Sequence, residues 1–181
     1  MLDAPSDDHC NAGKSMKEVI LGIGNALRGD DGIGIHIVQT LKRCLEEFET
    51  GAKQAKSVEL SRELIAVDCG TTPESYTSAI REHNPDRLIL VDAADMGLRP
   101  GSYRIIPPDK IGVMCVSTHN VPLSLLASYV REFCRDVVLI GIQPERTDIG
   151  TTLSGAVRSS GEDVANIIME GRLNEIDVLG T

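Results

Sequence analysis

The sequence predicts an α/β domain built on an open, mostly parallel, twisted five-stranded sheet lying between two helix layers. Three observations predict it. Short apolar, β-branched runs alternate along the chain with stretches of helical periodicity, the pattern of strand–helix–strand units. The runs are continuously apolar and not alternating, as strands covered on both faces are. Several of them close on an acid or a glycine, and the C-terminal ends of parallel strands are where such sheets bind ligands.

Residues 1–16, MLDAPSDDHCNAGKSM, are polar, small and aperiodic, and predict a loose tail ahead of a single domain over 17–181. Lys17 to Asn25 (KEVILGIGN) reads as a buried strand, too short and too glycine-rich for a helix. After the segment LRGDDGIG, the residues Ile33, Ile37, Leu41, Leu45 and Phe48 recur at helical spacing, with Lys42, Arg43, Glu46 and Glu47 on the other face. The polar stretch 50–57 connects this helix to a second apolar run, Leu64 to Val67, which ends at Asp68. Thr72, Pro73 and Glu74 then start a short helix that Pro85 stops.

Leu88 to Val91 is the most continuously apolar run of the chain, as expected of a central strand, and delivers Asp92 at its end. SYRIIPP is a weaker strand, placed at or near an edge by Pro107 and Pro108. A helix over 119–134 begins with Asn120 as N-cap and Pro122 in its first turn, and carries Leu125, Leu126, Tyr129, Val130 and Phe133 on one face. Residues 136–142 form the fifth strand. The closing helix, from LSGAVRSSGEDVANIIMEGR, is weakened by Gly155 and Gly161.

At 181 residues the chain is the size of one ordinary domain. A net charge of −9 and 3% aromatic residues with no Trp argue against nucleic acid and anionic lipid as partners, because an acidic surface repels phosphates and offers no stacking platforms. Five widely spaced cysteines without a C-x-x-C pair indicate neither a disulfide framework nor a thiolate zinc site, and fit free thiols in a reducing cytoplasm. With no signal-peptide pattern and no apolar run near the roughly 20 residues that span a bilayer, a soluble cytoplasmic protein without membrane insertion is expected.

GIGNALRG after the first strand approaches a dinucleotide-binding fingerprint, but Leu27 stands where its third glycine belongs. Asp30 and Asp31 at the following helix start would also repel a pyrophosphate. AGKS at 12–15 resembles the end of a phosphate-binding loop, yet Asp8 occupies the first glycine position and the segment precedes a strand. Of the paired acids, one suits capping of the helix; Asp30 is given that role and Asp31 an exposed, ligand-facing one, the residues alone leaving either assignment open. Asp68 suits a strand-end turn as well as a site.

Asp92, directly after LILV, is a desolvated carboxylate that needs a partner, either a cation or an arginine such as Arg81 or Arg104. Of four histidines, only His119 falls in a strand-to-helix loop. Two carboxylates and an imidazole from separate loops make a hard site fit for Zn, Ni, Mn or Fe. The common metalloprotease, serine and cysteine hydrolase signatures are absent.

Taken together, LGIGNALRGDDGIG (21–34), D-C-G-x-x-P-E (68–74), LVDAADMG (90–97), STHN (117–120) and GIQPE (141–145) resemble the motifs of hydrogenase maturation proteases, in that family's order. T-H-N with G-I-Q-P is similar to the branch serving formate-hydrogenlyase-type or coenzyme-reducing hydrogenases. The resemblance implies an endopeptidase of aspartic type that recognises nickel in the precursor of a hydrogenase large subunit and removes its C-terminal peptide. It carries the metal trio onto Asp31, Asp92 and His119, the catalytic role onto Asp31 and Asp92, and a supporting or capping role onto Gly29, Asp30 and Asp68. The implied metal is nickel, shared with or carried by the substrate, with zinc or cadmium able to substitute in vitro. The implied partner is the precursor, and the implied state a monomer. The competing expectation is a non-enzymatic nickel-binding scaffold for hydrogenase maturation.

Overall fold

The computed structural model describes residues 15–50, 62–111 and 121–180, apart from the side chain of Glu49. Its strands are β1 (Met16–Ile23), β2 (Arg62–Gly70), β3 (Arg87–Ala93), β4 (Tyr103–Ile105) and β5 (Asp136–Ile142). The helices are α1 (Ile33–Glu49), α2 (Thr77–His83), α3 (Leu123–Val130) and α4 (Gly155–Glu170). They build one sheet in the order β2-β1-β3-β5-β4, all parallel except β4, which runs antiparallel to β5 at the edge. This is the five-stranded α/β architecture expected, with Leu88–Val91 in the middle strand.

The strands alternate their apolar residues between two cores. Ile20, Ile89, Val91 and Ile140 pack under α1 and α4, against Ile37, Leu41, Val164 and Ile168. Val19, Leu21, Leu88 and Leu90 point the other way, against Ile80 of α2 and Leu123, Leu126 and Val130 of α3. Both faces being covered explains why the runs read as continuously apolar. Each such aliphatic side chain taken from water contributes roughly 1.5–3 kcal/mol.

Several boundaries differ from the sequence reading. β1 spans Met16–Ile23 where Lys17–Asn25 was expected, so Met16 of the expected tail joins the sheet by pairing with Arg62, and Gly24 and Asn25 lie beyond the strand. β2 is longer than Leu64–Val67 and starts at Arg62, because its polar first residues pair in register with Met16 and Lys17 of β1. α2 is preceded by a separate 3₁₀ turn, Pro73–Tyr76. α3 starts at Leu123 with Pro122 at its N-cap and ends at Val130, short of Cys134; the expected cap, Asn120, lies outside the described residues, as do residues 1–14 of the expected tail.

At the N-terminal end of the sheet a row of charges crosses four strands. Glu18, fully buried, lies opposite Arg87 in register and bonds both Arg87 (3.0 Å) and Arg62, while Arg87 Nε donates to Asp136 at 2.6 Å. Arg62 also donates to the carbonyls of Ile168 and Met169 at the end of α4. Removing the central anion leaves two half-buried guanidiniums facing each other, so Glu18→Gln is expected to cost about 2 kcal/mol, read as a lower urea midpoint at unchanged slope.

Candidate active site

The site is built where the strand order reverses. From β1 the chain passes through α1 on one face to β2; from β2 it returns through α2 on the other face to β3. The C-terminal ends of β1 and β3 therefore border the crevice in which sheets of this type bind ligands. Asp31 follows β1 in the 3₁₀ turn Gly29–Gly32, and Asp92 is the penultimate residue of β3. That turn packs directly against β3.

Two glycines make this close packing possible. A Cβ on Gly34, in the first turn of α1, would run into the carbonyl oxygens of Ile23 and Val91, so only glycine lets the helix start lie on the ends of both strands. Gly29 holds φ +57°, and a Cβ there would collide with Thr151 and come within 2.9 Å of the Arg146 carbonyl.

Both acids of the GDDG turn are buried, Asp30 at 0% exposure and Asp31 at 4%, and Asp92 is at 0%. The exposed position expected for Asp31 is corrected accordingly: the 3₁₀ turn folds the segment inward between β1 and β3. Capping by Asp30 is corrected as well, since neither the 3₁₀ turn nor α1 has a side-chain cap. Asp30 instead accepts three backbone N–H groups from the segment after β5. Oδ2 takes those of Glu145 (2.9 Å) and Arg146 (3.1 Å), and Oδ1 takes that of Ser154 (2.6 Å). Its own N–H donates to the Arg146 carbonyl, and the N–H of Gly29 to that of Thr151. The acidic loop and the post-β5 loop are thus one hydrogen-bonded unit.

Asp92 Oδ1 accepts the N–H of Ala93 at 2.8 Å. The arginines considered for it are engaged elsewhere: Arg81 donates to Tyr129 at 2.7 Å, and Arg104 to the Tyr103 carbonyl. Asp68, at the end of β2, accepts the N–H of Gly70 at 3.0 Å and so holds its own turn. Beside it, the buried Cys69 thiol is pushed up to about 12, first by burial and second by the Asp68 charge. Among the described residues no set of three or more His, Cys, Asp or Glu side chains is placed to hold a metal ion, and His119, the third member of the expected trio, lies outside them.

Gln143, quoted within the GIQPE motif but given no role of its own by the sequence, is a further site residue. Seven per cent exposed, it follows β5 and fixes the loop beyond Asp92: its Oε1 accepts the N–H groups of Met96 (2.7 Å) and Leu98 (3.2 Å), and its Nε2 donates to Asp95 and to the Pro144 carbonyl. A polar side chain directly after the run VVLIGI carried the signal, the same one that marked Asp92.

Comparison with known proteins shows the family to which this fold belongs. The family model for hydrogenase maturation protease matches residues 35–171. The hydrogenase 3 maturation protease of Escherichia coli K12 is 36% identical over 150 residues, covering 82% of this chain and 86% of that protein. The solution structure of the endopeptidase HycI from Escherichia coli superposes with a TM-score of 0.72 at 33% identity, over 91% of this chain and 97% of that one. The crystal structure of a NiFe-hydrogenase maturation protease from Thermococcus kodakarensis does so at 0.68 and 32%, over 91% and 96%. With a matching family model over most of its length, relatives above 30% identity and the same sheet, the chain belongs to the hydrogenase maturation proteases, peptidases that remove a C-terminal peptide from a hydrogenase large subunit.

Proposed function

We propose that the protein acts on the nickel-loaded precursor of a hydrogenase large subunit, with Asp31 and Asp92 as the carboxylates that meet the substrate and His119 as a third ligand. The observation that carries this reading is the burial of two acids on the crevice side of the sheet, Asp92 near the end of β3 and Asp31 in the 3₁₀ turn that packs against β3. Buried carboxylates are hard oxygen donors suited to a divalent ion, and an incomplete set leaves positions for the substrate's own ligands.

In this reading one carboxylate accepts a proton from the attacking water and the other orients it; Asp31, Asp92 and His119 would hold the substrate's nickel, which would supply Lewis-acid polarisation beside the scissile bond. The Ala93 N–H holds the Asp92 carboxylate in a fixed rotamer, and Gln143 holds the loop beyond it, so the acid is positioned before substrate arrives. The protein works in the cytoplasm, as a monomer; no helix among the described residues is long and apolar enough to cross a membrane.

Mass spectrometry of a precursor incubated with the protein tests this. Loss of the C-terminal peptide is expected from the nickel-loaded precursor and not from the nickel-free one. Equal cleavage of both would remove nickel from the recognition step, and an unchanged mass in both would leave the scaffold reading.

A further inference from the structure

Among the described residues the two most exposed large apolar side chains are Leu27, 73% exposed, and Ile149, 80% exposed. They belong to different loops, one after β1 and one after β5, yet the two loops are joined at these residues: the N–H of Gly150 donates to the Leu27 carbonyl at 2.8 Å. Arg28 Nε donates to the Thr147 carbonyl at 3.3 Å, and the Asp30 carboxylate grips the same loop at three points. Leu27 is also fixed from its own side, its N–H donating to Asn25 Oδ1 at 2.9 Å.

The apolar pair therefore stands on a backbone that is held in place, with Leu27 four residues from Asp31 in a loop closed by the Asp31 N–H donating to the Arg28 carbonyl at 3.2 Å. Beside the pair, the same two loops wall a recess of about 180 Å³, with Ala26 and Gly29 on one side, Thr152 and Leu153 on the other, and Ile35 and His36 of α1 behind. An apolar ridge next to a recess, on preorganised loops, is the arrangement of a protein-docking hot spot, since little ordering remains to be done on binding.

We propose that Leu27 and Ile149 form a docking ridge that grips an apolar surface of the large-subunit precursor beside the bond to be cut, with the adjoining recess receiving one of its side chains. The inference rests on the reading that this precursor is the substrate. It assigns the ridge to substrate affinity and leaves the chemical step to the buried acids.

The test is direct because side chains this exposed contribute little to folding, and surface substitutions of this kind leave stability nearly unchanged. Leu27→Ser and Ile149→Ser are each expected to raise KM for the nickel-loaded precursor about tenfold, and the double variant further, with kcat at saturation unchanged. Leu27→Met and Ile149→Leu restore wild-type KM. The affinity of each variant for the precursor, measured by biolayer interferometry, falls in parallel; this binding readout stands even if the wild-type protein leaves the precursor uncut, so a failure of the proposed reaction is distinguished from a failure of the ridge. Unchanged KM and affinity in the double variant would overturn the inference. So would a ridge that holds a second copy of the chain, seen in sedimentation as a wild-type dimer that the double variant loses while KM stays the same.

Discussion

Replacing Asp92 by Asn is expected to slow cleavage of the nickel-loaded precursor by about 10²–10⁴-fold or more, with Asp31→Asn doing the same. The substitution is close to isosteric. The amide oxygen of an Asn at 92 still accepts the N–H of Ala93, so the strand end keeps its geometry and the thermal midpoint changes little. What is lost is the negative charge, and with it both a base for water and a ligand for a divalent ion. His119→Ala should abolish processing as well. Mass spectrometry of the precursor over time, beside a melting curve of each variant, reads both halves of the expectation. Wild-type rates in the variants would take these residues out of the reaction.

Asp30→Ala is expected to act on the fold itself. Its carboxylate is fully buried and accepts the N–H groups of Glu145, Arg146 and Ser154, which the alanine would leave without an acceptor. Hydrogen bonds to a charged group are worth about 1.5–3 kcal/mol each, so even with partial relaxation the loss comes to about 4 kcal/mol. That is a large share of the roughly 5–15 kcal/mol by which domains of ordinary size are stable. Asp30→Asn should recover only part of it, because an amide has one acceptor oxygen where three donors converge. Urea denaturation, compared with Asp31→Asn as a neighbouring control, separates a structural Asp30 from a catalytic one. Equal midpoints for Asp30→Ala and wild type would contradict the hydrogen-bond geometry.

The sheet was legible in the sequence because burial on both faces writes itself into composition: LILV and VVLIGI could belong only to covered strands, and Pro107 with Pro108 marked the edge. The ends of elements were less so. Arg62 joins β2 through pairing with β1 and through its ion pair with Glu18, neither of which leaves a trace in local hydropathy.

The site divided along the same line. Asp92 announced itself as a charge after an apolar run. The roles of Asp30 and Asp31 could not be separated locally, since the rule for acids at helix starts sees only the nearest helix, whereas the donors that bind Asp30 lie 115 to 124 residues further along the chain. Gln143 escaped for a related reason: its partners sit in the loop after β3, 45 and 47 residues earlier. The ridge of Leu27 and Ile149 was invisible because the two residues are neighbours only through folding. Leu27 was read merely as a defect in a dinucleotide fingerprint.

Cys69 bears on the nickel recognition proposed above. It closes β2 beside the strand that leads to Asp31, Gly24 N–H donating to the carbonyl of the adjacent Gly70 at 2.9 Å. A thiolate there would be a soft chelator within the same rim of the sheet, able to compete with the substrate for the ion it carries. Only the deprotonated sulfur binds metal well, and a thiol held near 12 stays protonated at neutral pH. Burial thus keeps the Cys69 sulfur protonated, so that under the proposed reading the substrate's ion would meet the oxygens of Asp31 and Asp92 and not this thiol.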